Sequence, residues 1–170
     1  MLGFLFRGLT AKPSPGAALF DALITEARRP HWYVEGKVPD TLDGRFAVLA
    51  SLTALALVRL EDMGEEANPL SAALTERFIE VMESEHREMG LGDPTLGKTV
   101  RKLVGMMGGR ADLLRSATAG EMSWSEAARE GLYKGAADPE ALRHSTAELQ
   151  RFAKHLDETG LAELQQGRIA

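Results

Sequence analysis

The run FAVLASLTALALV, from Phe46 to Val58, is apolar throughout and lies between Arg45 and Arg59. A helix that spans a bilayer needs about 20 apolar residues, and shorter runs of this kind form buried core helices. The stretch therefore predicts a core helix, around which the rest of the chain must pack. Elsewhere the apolar residues recur every three or four positions. Leu70, Leu74, Phe78 and Val81 form one stripe; Leu96, Val100, Leu103 and Met107 a second; Leu142, Leu149, Phe152 and Leu156 a third. This is helical spacing, and no segment shows a comparable run of strict alternation.

Helix starts are marked by a repeated device, an Asn or Asp followed by Pro. Asn68-Pro69, Asp93-Pro94 and Asp138-Pro139 each place a side-chain acceptor beside the free amides of a first turn, with proline where no N–H is needed. Ser123 or Ser125 is expected to cap a shorter helix that runs to Glu130, and a last long helix is expected to end near Gly160. An opening helix covers about residues 17–28, and Pro30, Gly36 and Pro39 mark a loop after it. The expectation is one all-α domain of six to seven helices over residues 17–170, preceded by a tail at 1–16. The tail either places Leu2, Leu5, Phe6 and Leu9 on one helical face against a membrane surface, or is a loose tail or a segment tucked against the domain.

With 170 residues the chain has room for one real core. It contains no cysteine, which excludes disulfides, thiolate metal sites and cysteine nucleophiles. A net charge of −5 argues against wholesale binding to DNA or another polyanion, although a local basic face remains open. The charge is unevenly spread. Residues 61–90 hold nine acidic and two basic side chains, and residues 91–115 hold two acidic and five basic ones. Either the two segments pair across their solvated faces, or the second offers a docking surface to an anionic partner.

Gly92 through Thr99 fits the P-loop pattern G-x-x-x-x-G-K-[ST]. A P-loop links a strand to a helix, so that its backbone amides cradle phosphate. The preceding TERFIEVMESEHREMG is charged and helical in period, and Pro94 removes one of the amides. The match is an accident of pattern. Glu83 and His86 form an E-x-x-H, but Glu140 and His144 have the wrong spacing to supply the second copy that a di-iron bundle needs. His31, His144 and His155 are scattered, no G-x-S-x-G elbow occurs, and Trp32, Tyr33 and Trp124 read as core or loop anchors. The residues thus predict no catalytic constellation, no metal site and no cofactor.

Two stretches carry a resemblance. VPDTLDGRFAVLASLTALALVRL and HREMGLGDPTLGKTVRKLVGMMGGR are similar to the two signature blocks of the ubiquinol–cytochrome c chaperone family, over about residues 20–155. Pro39, Asp40, Gly44, Arg45 and Phe46 match the first block. Arg87, Met89, Gly90, Gly92, Asp93, Gly97, Lys98 and Arg110 match the second. The resemblance implies an assembly chaperone rather than an enzyme, with cytochrome b of the bc1 complex as client. It also implies work at the cytoplasmic face of the inner membrane, with a ribosome or a small partner protein as further contacts.

On that reading Arg45, Lys98, Arg101, Lys102 and Arg110 are expected to meet client, ribosome or lipid. Met106 and Met107, in a cluster with Met82 and Met89, are expected either to offer an adaptable apolar surface or to pack in the core. Asp40 and Asp93 are expected to cap their helices. Gly44, Gly90, Gly92 and Gly97 are expected to permit turns or close approach, Gly97 beside a near neighbour because glycine in a first turn costs stability.

Overall fold

A computed structural model describes residues 16–88 and 93–169, apart from the side chains of residues 86, 87 and 93–96. Seven α-helices occur among the described residues: α1 (Ala17–Ala27), α2 (Leu42–Asp62), α3 (Asn68–Glu88), α4 (Asp93–Thr118), α5 (Trp124–Tyr133), α6 (Pro139–Glu158) and α7 (Leu161–Gln165). Short 3₁₀ turns at Pro30–Trp32 and Glu65–Ala67 complete the order, and no strand is present among these residues. The expected all-α single domain is the observed one.

Helix α2 is the axis. It packs against α1, α3, α4, α5 and α6, and its buried residues run from Gly44 to Leu60 on all sides. Ala47, Ala50, Ala54 and Ala56 keep its girth small, which lets five neighbours reach it, since interaxial distance follows side-chain size at the contact. Two hydroxyls lie in this apolar environment. Ser51 and Thr53 donate to the carbonyls of Ala47 and Leu49, each at 2.8 Å, so neither is left unsatisfied. The outer helices bury single stripes, such as Leu103, Met107, Ala111, Leu114 and Ala117 on α4. On α6 the stripe includes Leu142, Leu149, Phe152 and Leu156.

The helix starts follow the sequence in part. Ser123 accepts from the amide of Glu126 at 3.1 Å, and Asp138 from that of Ala141 at 3.1 Å with Pro139 behind it. Asn68 does not cap α3. Its backbone is already helical, and the chain enters through the Glu65–Ala67 turn instead. Asp40 does not cap α2 either; Thr41 does, accepting from the amide of Gly44 at 3.2 Å. Gly16 sits at φ +87°, where an added Cβ would lie 2.9 Å from the backbone of Ala73 and Leu74, so glycine brings α1 onto α3.

Candidate functional site

Both quoted blocks meet at one groove of about 670 Å³. The start of α2 contributes Leu42, Asp43, Arg45, Phe46 and Leu49, with Asp40 before it, and α4 contributes Thr99, Lys102, Leu103 and Met106. Ile24, Ala27 and Arg28 of α1, Pro30, Tyr33 and Val34 after it, and Val81, Met82 and Glu85 of α3 close the remaining walls. Most of this lining is apolar. Val34 is 66% exposed and Leu42 49% exposed, two of the three large hydrophobic side chains most open to solvent among the described residues. Exposed apolar side chains gathered at one concave site mark a place built to be covered.

Local chemistry fixes the rim. Asp40 accepts from Arg45 Nε at 2.6 Å, and that bond holds the carboxyl below and the guanidinium above its ordinary range. Tyr33 donates to the carbonyl of Ala27 at 2.7 Å, and burial pushes its phenol from 10.0 up to about 12. Burial, with Arg45 nearby, lowers the Arg28 guanidinium. Gly44 is required here, because a Cβ would run into the carbonyl oxygen of Pro39. At the floor, Phe46 lies 6.0 Å from Phe78 between ring centroids, and Phe78 meets Phe20 edge-on at 6.4 Å.

The expected contact residues separate into three groups. Arg45, Lys102 and Met106 line the groove. Lys98 and Arg101 are exposed on α4 outside its lining. Met107 is 5% exposed and belongs to the core. Arg110 is half-buried: it donates to the carbonyl of Gly131 on α5 at 3.2 Å and lies 5.5 Å over the Phe46 ring, with burial lowering its pKa. Its position ties α4 to α5 beneath the groove. Met82 is buried against the core.

Of the glycines, Gly97 has nothing within 4 Å of a Cβ, so the near neighbour expected there is absent among the described residues. Met89, Gly90 and Gly92 lie outside the described residues, as does the tail at 1–15, and the side chains of Arg87 and Asp93 are likewise outside. Pro39 precedes α2, and its carbonyl faces Gly44.

The P-loop pattern does not form a loop. Asp93 to Thr99 already belong to α4 and α3 is a helix, so among the described residues no strand–loop–helix that cradles phosphate is present. The oppositely charged segments do meet where Arg115 holds the carboxylate of Glu61 at 2.9–3.1 Å. His31 and His144, read as scattered, approach to 3.2 Å. They are 113 positions apart, and no spacing rule reaches that far.

The described residues form an all-helical domain with an open apolar groove, and no helix among them is long and apolar enough to cross a membrane. The model of the ubiquinol-cytochrome C chaperone family matches residues 34–170, and the chain belongs to that family. The match begins later and ends later than the resemblance of the two blocks suggests. Among solved structures, the crystal structure of the Cbp3 homolog from Brucella abortus is similar in fold, with a TM-score of 0.77 at 24% identity over 90% of this chain and 86% of that one. No curated protein matches the chain by sequence.

Proposed function

We propose that this protein is an assembly chaperone of the cytochrome bc1 complex that holds newly made cytochrome b at the groove between α1, α2, α3 and α4, and is not an enzyme. The observation that carries the reading is convergence. Asp40, Arg45 and Phe46 of one block and Lys102 and Met106 of the other lie far apart in sequence and line the same apolar cavity. A membrane client presents apolar helices before assembly. A groove with exposed Val34 and Leu42 and an adaptable Met106 suits such a helix, by the mode in which anchors at i, i+3, i+4 and i+7 enter an apolar channel. Lys98 and Arg101, beside the groove, provide contacts for an anionic segment, a ribosome or lipid headgroups at the cytoplasmic face of the inner membrane.

The test is a crosslinking pull-down of tagged protein from its native cells, with Leu42→Asp and Arg101→Glu/Lys102→Glu as comparisons. Recovery of cytochrome b by the wild type and its loss in Leu42→Asp is the expected result. Recovery in all three would move the client elsewhere on the surface. Recovery of other proteins and no bc1 subunit would replace the reading with a helical adaptor for a different client.

A further inference from the structure

On the face of the molecule formed by α1, the Pro30–Trp32 turn and α6, four ligand-type side chains converge. His31 Nε2 lies 3.6 Å from Glu26 Oε1 and 3.8 Å from Glu148 Oε2, and the three atoms all fall within 4.8 Å of one another. Those separations are long for hydrogen bonds. They are close to the edge of a tetrahedron of ligands around zinc, about 3.3 Å for bonds of about 2.0–2.1 Å. His31 Nε2 is buried and has no hydrogen-bond partner. The other ring nitrogen, Nδ1, meets His144 Nε2 at 3.2 Å, and the ring packs on Trp32 at 4.7 Å between centroids. In the tautomer in which Nδ1 donates to His144, the Nε2 lone pair faces two carboxylates, an arrangement that a cation between them relieves. A histidine oriented through its second nitrogen is the usual form of a metal ligand.

We propose that Glu26, His31 and Glu148 bind a divalent ion of the zinc class, with His144 as the positioning residue that orients His31. The donor set of one imidazole and two carboxylates suits zinc and its nitrogen- and oxygen-liking neighbours. Two cations already compete for these carboxylates. Arg151 Nη2 lies 2.6 Å from Glu148 Oε2 and 3.4 Å from Glu26 Oε1, and Arg29 Nη1 lies 3.2 Å from Glu26 Oε2, so the ion must share the carboxylates with them. The ion would join α1 to α6 and brace the turn whose neighbours Tyr33 and Val34 line the groove.

The experiment is calorimetric titration of the metal-stripped full chain with zinc chloride near pH 7.5, with thermal unfolding in chelator to verify that each variant folds. The expected result is one equivalent bound. Affinity should fall at least tenfold in both His31→Gln and Glu148→Gln, hold steady in His155→Gln, and rise severalfold in Arg151→Gln, which removes a competing charge. Binding that survives unchanged in His31→Gln and Glu148→Gln, or no binding by the wild type, overturns the proposal. If either variant fails to fold, Glu26→Gln takes its place under the same criterion.

Discussion

Helices α2 and α4 lie side by side and are built on different principles. Around α2 buried positions face every direction, and many of them are small residues. Gly44 meets the Pro39 carbonyl, and Ser51 lies 3.4 Å from where a Cβ on Gly131 of α5 would stand. Among its described side chains, helix α4 buries one stripe, half-buries flanking residues such as Val100, Met106 and Arg110, and exposes the others. Gly97, Gly105, Gly108 and Gly109 stand on it with nothing within 4 Å of a Cβ, and Val104 is 45% exposed. Packing explains the sequence of α2. It does not explain four open glycines in one helix, each costing roughly 1 kcal/mol relative to alanine. Nothing in the packing of the described residues accounts for them.

The comparison can be broken at its strongest point first. Leu52→Ala empties a fully buried site on α2 and should cost about 3 kcal/mol, read from urea unfolding with an unchanged slope. A loss below about 1 kcal/mol there would mean the axis is not the close-packed centre described. Gly44→Ala should cost about 2 kcal/mol, because the opposing atom is a backbone carbonyl that cannot swing aside. Arg110→Ala tests whether one α4 residue of the second block is structural. Loss of its bond to Gly131 and its place over Phe46 should cost about 2 kcal/mol.

The opposite sign is expected on the open face of α4. Gly105→Ala and Gly108→Ala should each add about 1 kcal/mol. If a client backbone lies on that face, the same double variant should also recover less client from cells, and equal recovery would remove this explanation of the glycines.

An effect confined to alkaline pH is expected at the groove wall. Burial raises the Tyr33 phenol from 10.0 to about 12, so the fold favours its neutral form. That contribution is complete below pH 10, the unfolded value, and fades as pH rises toward 12. Burial also raises Tyr133, so Tyr33→Phe should shrink the alkaline loss without abolishing it. Ultraviolet titration of phenolate against stability measured over the same range decides it.

How much of this was legible along the chain follows from the range of each signal. The apolar run at Phe46–Val58 announced α2, and three- and four-residue spacing announced α3, α4 and α6, because helical burial repeats within a few residues. Capping was legible where an acceptor and a proline are neighbours, as at Asp138-Pro139. It misled at Asn68, where a 3₁₀ turn carries the chain straight into the helix, and at Asp40, whose carboxylate is engaged by Arg45. The site was legible only as two separate blocks. Nothing in either block says that Arg45 and Lys102 share a cavity wall, or that Arg110 turns inward beneath Phe46.

The sequence by itself therefore determined the helical class, the central helix, most helix boundaries and the resemblance to a family, since each depends on residues close together or on a matched string. Only the tertiary structure decided the groove, the burial of Met107 and Arg110, and the meeting of Glu26, His31, His144 and Glu148. Periodicity tells which face of a helix is buried. Which helix covers that face, and which side chains are thereby brought within a few ångströms, depends on how the helices share one core.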